Sequence, residues 1–128
     1  MRGVRALTLA SILIAAAPGS SGCALLLVGA GAAGGYSVSR DSVIAHYDLS
    51  TDHVFRRSLQ LAKESGQVGL EDAKHGVVEL TTPDAVKVRI TVKQLTPKSV
   101  ELRVKARKNM LPKVSVAQEI FNKISQGL

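Results

Sequence analysis

Residues 86–105, VKVRITVKQLTPKSVELRVK, carry the strongest structural signal in this chain. Apolar residues occupy every second position from Val86 to Val92, and the alternation resumes at Val100 after the turn sequence Thr-Pro-Lys at 96–98. A period of two is typical of strands with one buried face and one solvated face. We therefore predict an antiparallel hairpin that packs its apolar side on the core.

The solvated face of this hairpin is rich in cations. Glu101 is the acidic residue that opposes them, and Arg107 continues the same face. Two interpretations stay open: a binding surface for anions, or an ordinary wet face on which lysines prevent edge-to-edge aggregation. A binding surface for anions would suit an anionic lipid, lipopolysaccharide or an acidic envelope protein as the partner. The candidate anion-binding residues are Lys87, Arg89, Lys93, Arg103 and Lys105.

On the N-terminal side of the hairpin, weaker patterns predict three strands and a helix. Residues 42–47 alternate and predict a first strand. Potential caps at 50–52 and a terminating Gly66 predict a helix between them. Residues 68–70 and 77–80 predict two short strands around a turn at 73–76. The helix residues expected to face the core are Val54, Phe55, Leu59, Leu61 and Ala62.

A second helix is predicted at the C-terminus. Pro112 marks a break, and Ser115 with Gln118 three positions later has the pattern of a capping box. The resulting order β-α-β-β-β-β-α predicts an α+β sandwich over residues 41–128, with a four- to five-stranded antiparallel sheet and both helices on one face. Its C-terminal helix is expected to bury Val116, Ile120, Phe121 and Ile124.

The N-terminus has the features of an export signal. Two arginines precede an uncharged apolar run at 6–17, and small residues follow up to Cys23, the single cysteine of the chain. The string SSGC at 20–23 resembles the lipobox of bacterial lipoproteins, although Leu is usual where this chain has Ser20. We expect residues 1–22 to be a lipoprotein signal peptide and Cys23 to become the lipidated first residue.

Two alternatives to lipidation stay open. An ordinary signal peptidase site would leave a lone thiol in an exported protein. An uncleaved membrane span is the other, because no charged residue occurs from 6 to 39. The breakers at 18–22 divide that stretch into pieces that are each too short to cross. Ala24 is not the Asp that retains many lipoproteins in the inner membrane, so we expect an outer-membrane location facing the periplasm.

Residues 23–40 are expected to be the lipidated Cys followed by an apolar, glycine-rich tether. Residues 29–34 spell G-x-G-x-x-G, the dinucleotide-binding fingerprint. That fingerprint requires a following helix and further strand-helix repeats, which the pattern of this chain does not predict. We therefore predict no cofactor.

Composition narrows the class of partner. The chain has a net charge of +7, and outside the cytoplasm the common anions are phospholipid head groups, lipopolysaccharide phosphates and acidic proteins. With two Tyr, two Phe and no Trp, a nucleic-acid surface built on stacked rings is not expected.

Residues capable of catalysis are present but scattered. His46, His53 and His75 fall in three different predicted elements and show no metal-ligand spacing. Glu71 and Asp72 are adjacent and would point to opposite faces of a strand. We expect neither an enzyme nor a metal site.

The alternating hairpin occurs in this chain together with the motifs Gly22-Cys23-Ala24 and Tyr47-Asp48-Leu49. Over nearly its whole mature length, the chain resembles a family of small Gram-negative bacterial lipoproteins grouped as a domain of unknown function. The resemblance rests on the alternating hairpin and on short motifs outside it. It implies the fold and the lipid anchor, and no activity. We therefore expect a non-enzymatic lipoprotein of the cell envelope; a small lipid or ligand carrier with a pocket between sheet and helices is the alternative. The motifs are Gly22-Cys23-Ala24, the run at 27–35, Tyr47-Asp48-Leu49, and Ile120, Ile124 and Leu128 in the last helix.

Overall fold

The computed structural model describes residues 36–128, which form one antiparallel sheet covered on one face by two helices. The expectations for the signal peptide, for Cys23 and for the glycine string concern residues outside this range. Within it, no helix is both long and apolar enough to cross a membrane. The elements are β1 (Tyr36–Val38), β2 (Ser42–Tyr47), α1 (Thr51–Ser65), β3 (Gln67–Asp72), β4 (Val77–Thr81), β5 (Lys87–Thr96), β6 (Ser99–Lys108), β7 (Leu111–Pro112) and α2 (Val114–Ser125).

The strands of the described chain lie in the order β1-β2-β6-β5-β4-β3, and β7 pairs with the end of β6. The α+β architecture is as predicted, but seven strands replace the expected four to five. The additional strands are β1 and β7, which have three and two residues and are too short to show a period. Residues 36–38, which the sequence analysis placed in the tether, pair with β2, where Tyr36 lies opposite Ala45.

The predicted hairpin, β5 and β6, is the centre of the sheet. Ile90 lies opposite Val104, and Val92 lies opposite Leu102. All four side chains are almost completely buried beneath the helices. Complete burial of such a side chain contributes roughly 1.5–3 kcal/mol. The hairpin therefore supplies much of the core and holds its opposite face in a fixed register.

Helix α1 begins and ends as predicted. The Ser50 hydroxyl accepts a hydrogen bond from the backbone N–H of His53 at 3.2 Å, which satisfies one of the free donors at the helix start. At the other end, a Cβ on Gly66 would overlap the carbonyl oxygen of Thr81. The glycine thus allows the chain to turn closely against β4. Val54, Phe55, Leu61 and Ala62 are buried, and Leu59 packs at the edge of the core.

Helix α2 begins at Val114, two residues before the start at Val116 that an N-cap at Ser115 would give, so the predicted capping box is wrong. Lys113 is the N-cap, and no side chain in the described residues caps this end. The reason is tertiary: the Lys113 N–H donates to the carbonyl of Ala106 at 2.8 Å, and β7 is paired to β6 just before it. The helix buries Ala117, Ile120, Phe121 and Ile124, whereas Val116 is only partly buried.

Two contacts attach the outer strands to α2. The Tyr47 hydroxyl lies 2.6 Å from the Ser125 hydroxyl, and burial raises the pKa of Tyr47 while this hydrogen bond opposes the rise. The ring of Tyr36 lies 5.0 Å from the ring of Phe121. β1 and β2 are therefore part of the folded unit.

Candidate anion-binding groove

The five predicted cations lie on the face of the sheet that the helices leave free. Lys87, Arg89 and Lys93 alternate with core residues along β5, as Arg103 and Lys105 do along β6. Four of the side chains are exposed and Lys105 is half-buried. The structure divides these residues into two groups, one in a groove and one outside it.

A groove of about 690 Å³ lies on this face where β5 begins and β6 ends. Its volume is within the range of ligand sites, about 300–1,000 Å³. It contains three of the predicted cations and Arg107, the residue that continues the basic face of the hairpin. The charged residues of the lining are Lys87, Arg89, Lys105, Arg107 and Glu79, and Met110 also lines the groove.

The register of the sheet places the four cations in two facing pairs. Arg89 lies opposite Lys105, and Lys87 lies opposite Arg107. Directly opposed side chains on antiparallel strands are about 5 Å apart at Cβ, where like charges destabilise the pairing. Such an arrangement is favourable only with counter-charges, which come from the protein or from a bound anion.

Two carboxylates provide part of the counter-charge. Glu79 on β4 pairs with Arg89 across the sheet. Asp41, in the turn between β1 and β2, has its Oδ2 2.7 Å from Nζ of Lys105 and 2.8 Å from Nη2 of Arg107. The hydrogen bond from Lys105 and then that from Arg107 lower the pKa of Asp41 to about 2. Asp41 is therefore ionised at every physiological pH.

The compensation in the groove is incomplete. Within residues 36–128, Lys87 takes part in no ion pair. Arg107 carries a buried Nε that finds no hydrogen-bond acceptor in the same part of the chain. The groove thus has one ammonium group without an ion pair in the described chain, and a buried guanidinium N–H without an acceptor beneath it.

The remaining predicted cations lie around Glu101, outside the groove lining. Oε1 of Glu101 accepts a hydrogen bond from Arg103 at 3.0 Å, and its Oε2 is 3.5 Å from Nε2 of His46. Lys93 is the residue opposite Glu101 in the register. Two cations with one carboxylate give this group a smaller net charge than the groove, where four cations meet two carboxylates.

Residues in unusual backbone conformations form the rim of the groove. Ala85 in the β4–β5 loop has φ 61°, and Asn109 and Met110 between β6 and β7 have φ 50° and 68°. Residues other than glycine rarely adopt positive φ, and such strain is often found at functional sites. Both turns border the same groove.

Sequence reasoning missed Asp41, Glu79 and Met110 as members of this site. The alternation along the hairpin identified the cations, because they share one strand pair. Glu79 and Asp41 come from neighbouring strands, and their position beside Arg89 and Lys105 depends on sheet order. No sequence signal linked them to the groove.

Other residues capable of catalysis are dispersed, and within residues 36–128 no three groups are placed to hold a metal ion. Nδ1 of His75 lies 2.7 Å from Oδ2 of Asp72 in the β3–β4 turn, and this hydrogen bond lowers the pKa of Asp72. Glu71 lies 3.9 Å from Lys63. His53 is in the first turn of α1.

Comparisons with known proteins identify no family. No protein-family model matches the chain, and no curated protein is similar to it in sequence. Among solved structures it has a distant likeness to a conserved protein of unknown function, EF2215 from Enterococcus faecalis. The two share 9% identity over 73% of this chain and 75% of the other, with a TM-score of 0.35.

Proposed function

We propose that this protein is a non-enzymatic lipoprotein of the bacterial cell envelope, attached through Cys23, whose groove binds anionic groups at a membrane surface. The observation that carries the binding role is the set of four cations lining one groove with Glu79 as the carboxylate among its lining residues. The anchor rests on the export signal and its lipobox-like end. The resemblance to small lipoproteins supports the same anchor.

The charges of the groove suit a phosphate-bearing surface. Ion pairs at exposed positions contribute only about 0–1 kcal/mol, so the pair of Arg89 with Glu79 is a weak competitor for an incoming anion. Each Lys or Arg near an anionic bilayer contributes about 1 kcal/mol, and this contribution fades with salt.

The anchor is tested by Cys23→Ala in the full chain. We expect the substitution to abolish labelling by an alkynyl fatty acid and to move the protein from the membrane to the soluble fraction, because lipid chains provide most of the attachment. A substituted protein that stays in the membrane fraction would favour the uncleaved membrane span. Labelling that persists would show that Cys23 is not the lipidated residue.

The groove is tested by a matched pair of charge reversals on β5. Lys87→Glu changes a groove residue and Lys93→Glu changes an exposed lysine on the same strand outside it. Neither lysine is ion-paired in the described residues, so both substitutions alter charge equally and break no salt bridge. A charge reversal removes one attractive interaction with the anionic surface and adds one repulsive interaction. Together these weaken the binding free energy by about 2 kcal/mol, which is roughly a 30-fold loss of affinity.

We expect residues 36–128 carrying Lys87→Glu to lose binding to vesicles of phosphatidylcholine and phosphatidylglycerol, while Lys93→Glu binds nearly as well as the parent. Cosedimentation at rising salt measures this. Equal losses would indicate a general charge effect with no groove, and no salt-sensitive binding by the parent would leave the face as solvated surface. A lipid that copurifies with the chain in native mass spectrometry would favour the carrier.

A further inference from the structure

The turn between β6 and β7 presents two apolar side chains to solvent. Met110 is 83% exposed and Leu111 is 64% exposed, the largest exposures among the large apolar residues of the described chain. They lie at the end of the sheet that contains the groove, and Met110 itself lines the groove. An apolar pair this exposed contributes nothing to the core.

The backbone conformation at this turn is unfavourable for methionine. Asn109 and Met110 both have positive φ, as the two central residues of a type I′ hairpin turn require, and the second of these positions favours glycine. A side chain that is exposed and held at positive φ is not explained by stability. Outliers of this kind are often found at functional sites.

Basic residues surround this turn, and we call this end of the molecule the basic end. The register places Lys108 opposite Leu111 and Arg107 opposite Pro112. The β1–β2 turn lies at the same end, because Asp41 contacts Lys105. The N-terminus of α2, which no described side chain caps, adds partial positive charge. The cations of the basic end are Arg40, Lys87, Arg89, Lys105, Arg107, Lys108 and Lys113, against the carboxylates of Asp41, Glu79 and Asp84 in the described chain.

Exposed apolar side chains beside several cations suit the interface of an anionic bilayer, which has charged head groups above apolar acyl chains. Lys and Arg can keep their charged ends at the phosphates while apolar side chains enter the acyl boundary. An acidic protein surface would satisfy the cations but would offer no apolar layer beneath the charges. The combination therefore favours lipid over protein as the occupant.

We propose that the basic end rests on an anionic bilayer with Met110 and Leu111 inserted below the head groups. This proposal rests on the envelope function above and gives it an orientation. The chain from Cys23 to Tyr36 can extend about 3.3–3.6 Å per residue. At full extension that exceeds the length of a ten-residue strand such as β6, so an anchor at Cys23 permits the basic end to reach the bilayer.

The test uses a fluorescent reporter in the full chain. Leu111→Cys in a Cys23→Ser background carries one environment-sensitive dye, and the matched control is Leu95→Cys, a partly exposed leucine near the opposite end of the hairpin. Both proteins are mixed with vesicles of phosphatidylcholine and phosphatidylglycerol that contain lipids with a nitroxide quencher. We expect a blue-shifted emission and at least a twofold greater quenching at 111 than at 95.

A second variant separates insertion from folding. Met110→Gly is expected to raise the melting temperature, because glycine suits the positive φ, and to lower the quenching at 111. A loss of insertion in a more stable protein cannot come from unfolding. Equal quenching at 111 and 95, or quenching that Met110→Gly leaves unchanged, would overturn the proposal.

The readout is local, so it does not depend on how the N-terminus is held. A lipid anchor that fails the fatty-acid labelling test leaves the comparison of 111 with 95 intact. Conversely, fatty-acid labelling of Cys23 in the parent chain, together with equal quenching at 111 and 95 in the dye-labelled chains, would overturn the proposed orientation and support the anchor. The two proposals are therefore decided separately.

Discussion

Asp41 gives the ion pairs beside the groove a measurable effect on stability, through its lowered pKa. Its carboxylate bridges Lys105 and Arg107, which lowers its pKa to about 2 from an ordinary value of 3.8. A carboxyl group with a lowered pKa in the folded state stabilises the fold above its unfolded pKa, and this stabilisation is lost as the pH falls through the folded pKa. The contribution is thus complete above about pH 5 and disappears near pH 2.

We predict that Asp41→Asn unfolds at lower urea concentration than the parent at about pH 6, and that this difference shrinks steadily as the pH approaches 2. Urea unfolding followed by circular dichroism at several pH values measures it. A difference of constant size over the whole range would mean that the bridge to Lys105 and Arg107 has no part in the stability of the fold.

At the scale of the elements, the N-termini of the two helices differ in whether a side chain caps them. Ser50 caps α1 through a hydrogen bond to the His53 N–H, whereas Lys113 stands at the N-cap of α2 with no side-chain cap from the described residues. A side-chain cap is worth about 1 kcal/mol. The start of α2 is instead held by its backbone bond to Ala106.

Opposite substitutions at the two caps should therefore have opposite effects. We predict that Ser50→Ala lowers the free energy of unfolding by about 1 kcal/mol, and that Lys113→Ser raises it by roughly 0.5–1 kcal/mol. Urea denaturation of residues 36–128 measures both. A destabilising Lys113→Ser would show that the link to Ala106 prevents the serine from reaching the helix N–H groups.

For the molecule as a whole, β1 is a short strand whose contribution to stability can be measured by truncation. It covers the edge of β2 and brings Tyr36 against Phe121. We predict that a chain starting at Arg40 is less stable than one starting at Tyr36 by about 1–2 kcal/mol, or roughly 5–10 °C in melting temperature. Differential scanning calorimetry compares them.

A control within the longer chain separates the two contributions of β1. Tyr36→Ala removes the aromatic contact with Phe121 and keeps the backbone pairing with β2. We expect it to account for about half of the loss. If the chain from Arg40 melts at the same temperature as the longer chain, neither the pairing of β1 nor the contact with Phe121 stabilises the fold.

The sequence by itself determined the central hairpin, α1 with its caps, and the side of the sheet that carries the cations. These features depend on local periodicity and on capping chemistry, which residues close in sequence specify. The lipid anchor at Cys23 is likewise a prediction from sequence, tested by the labelling experiment above.

Only the tertiary structure decided the short strands, the true start of α2 and the composition of the groove. β1 and β7 are too short to show a period and exist because β2 and β6 offer them backbone partners. Asp41 is far in sequence from Lys105 and Arg107, and sheet order brings them together, whereas Glu79 meets Arg89 through the pairing of β4 with β5. Local patterns specify which side chains share a face, whereas pairing between distant strands specifies which charges meet on it.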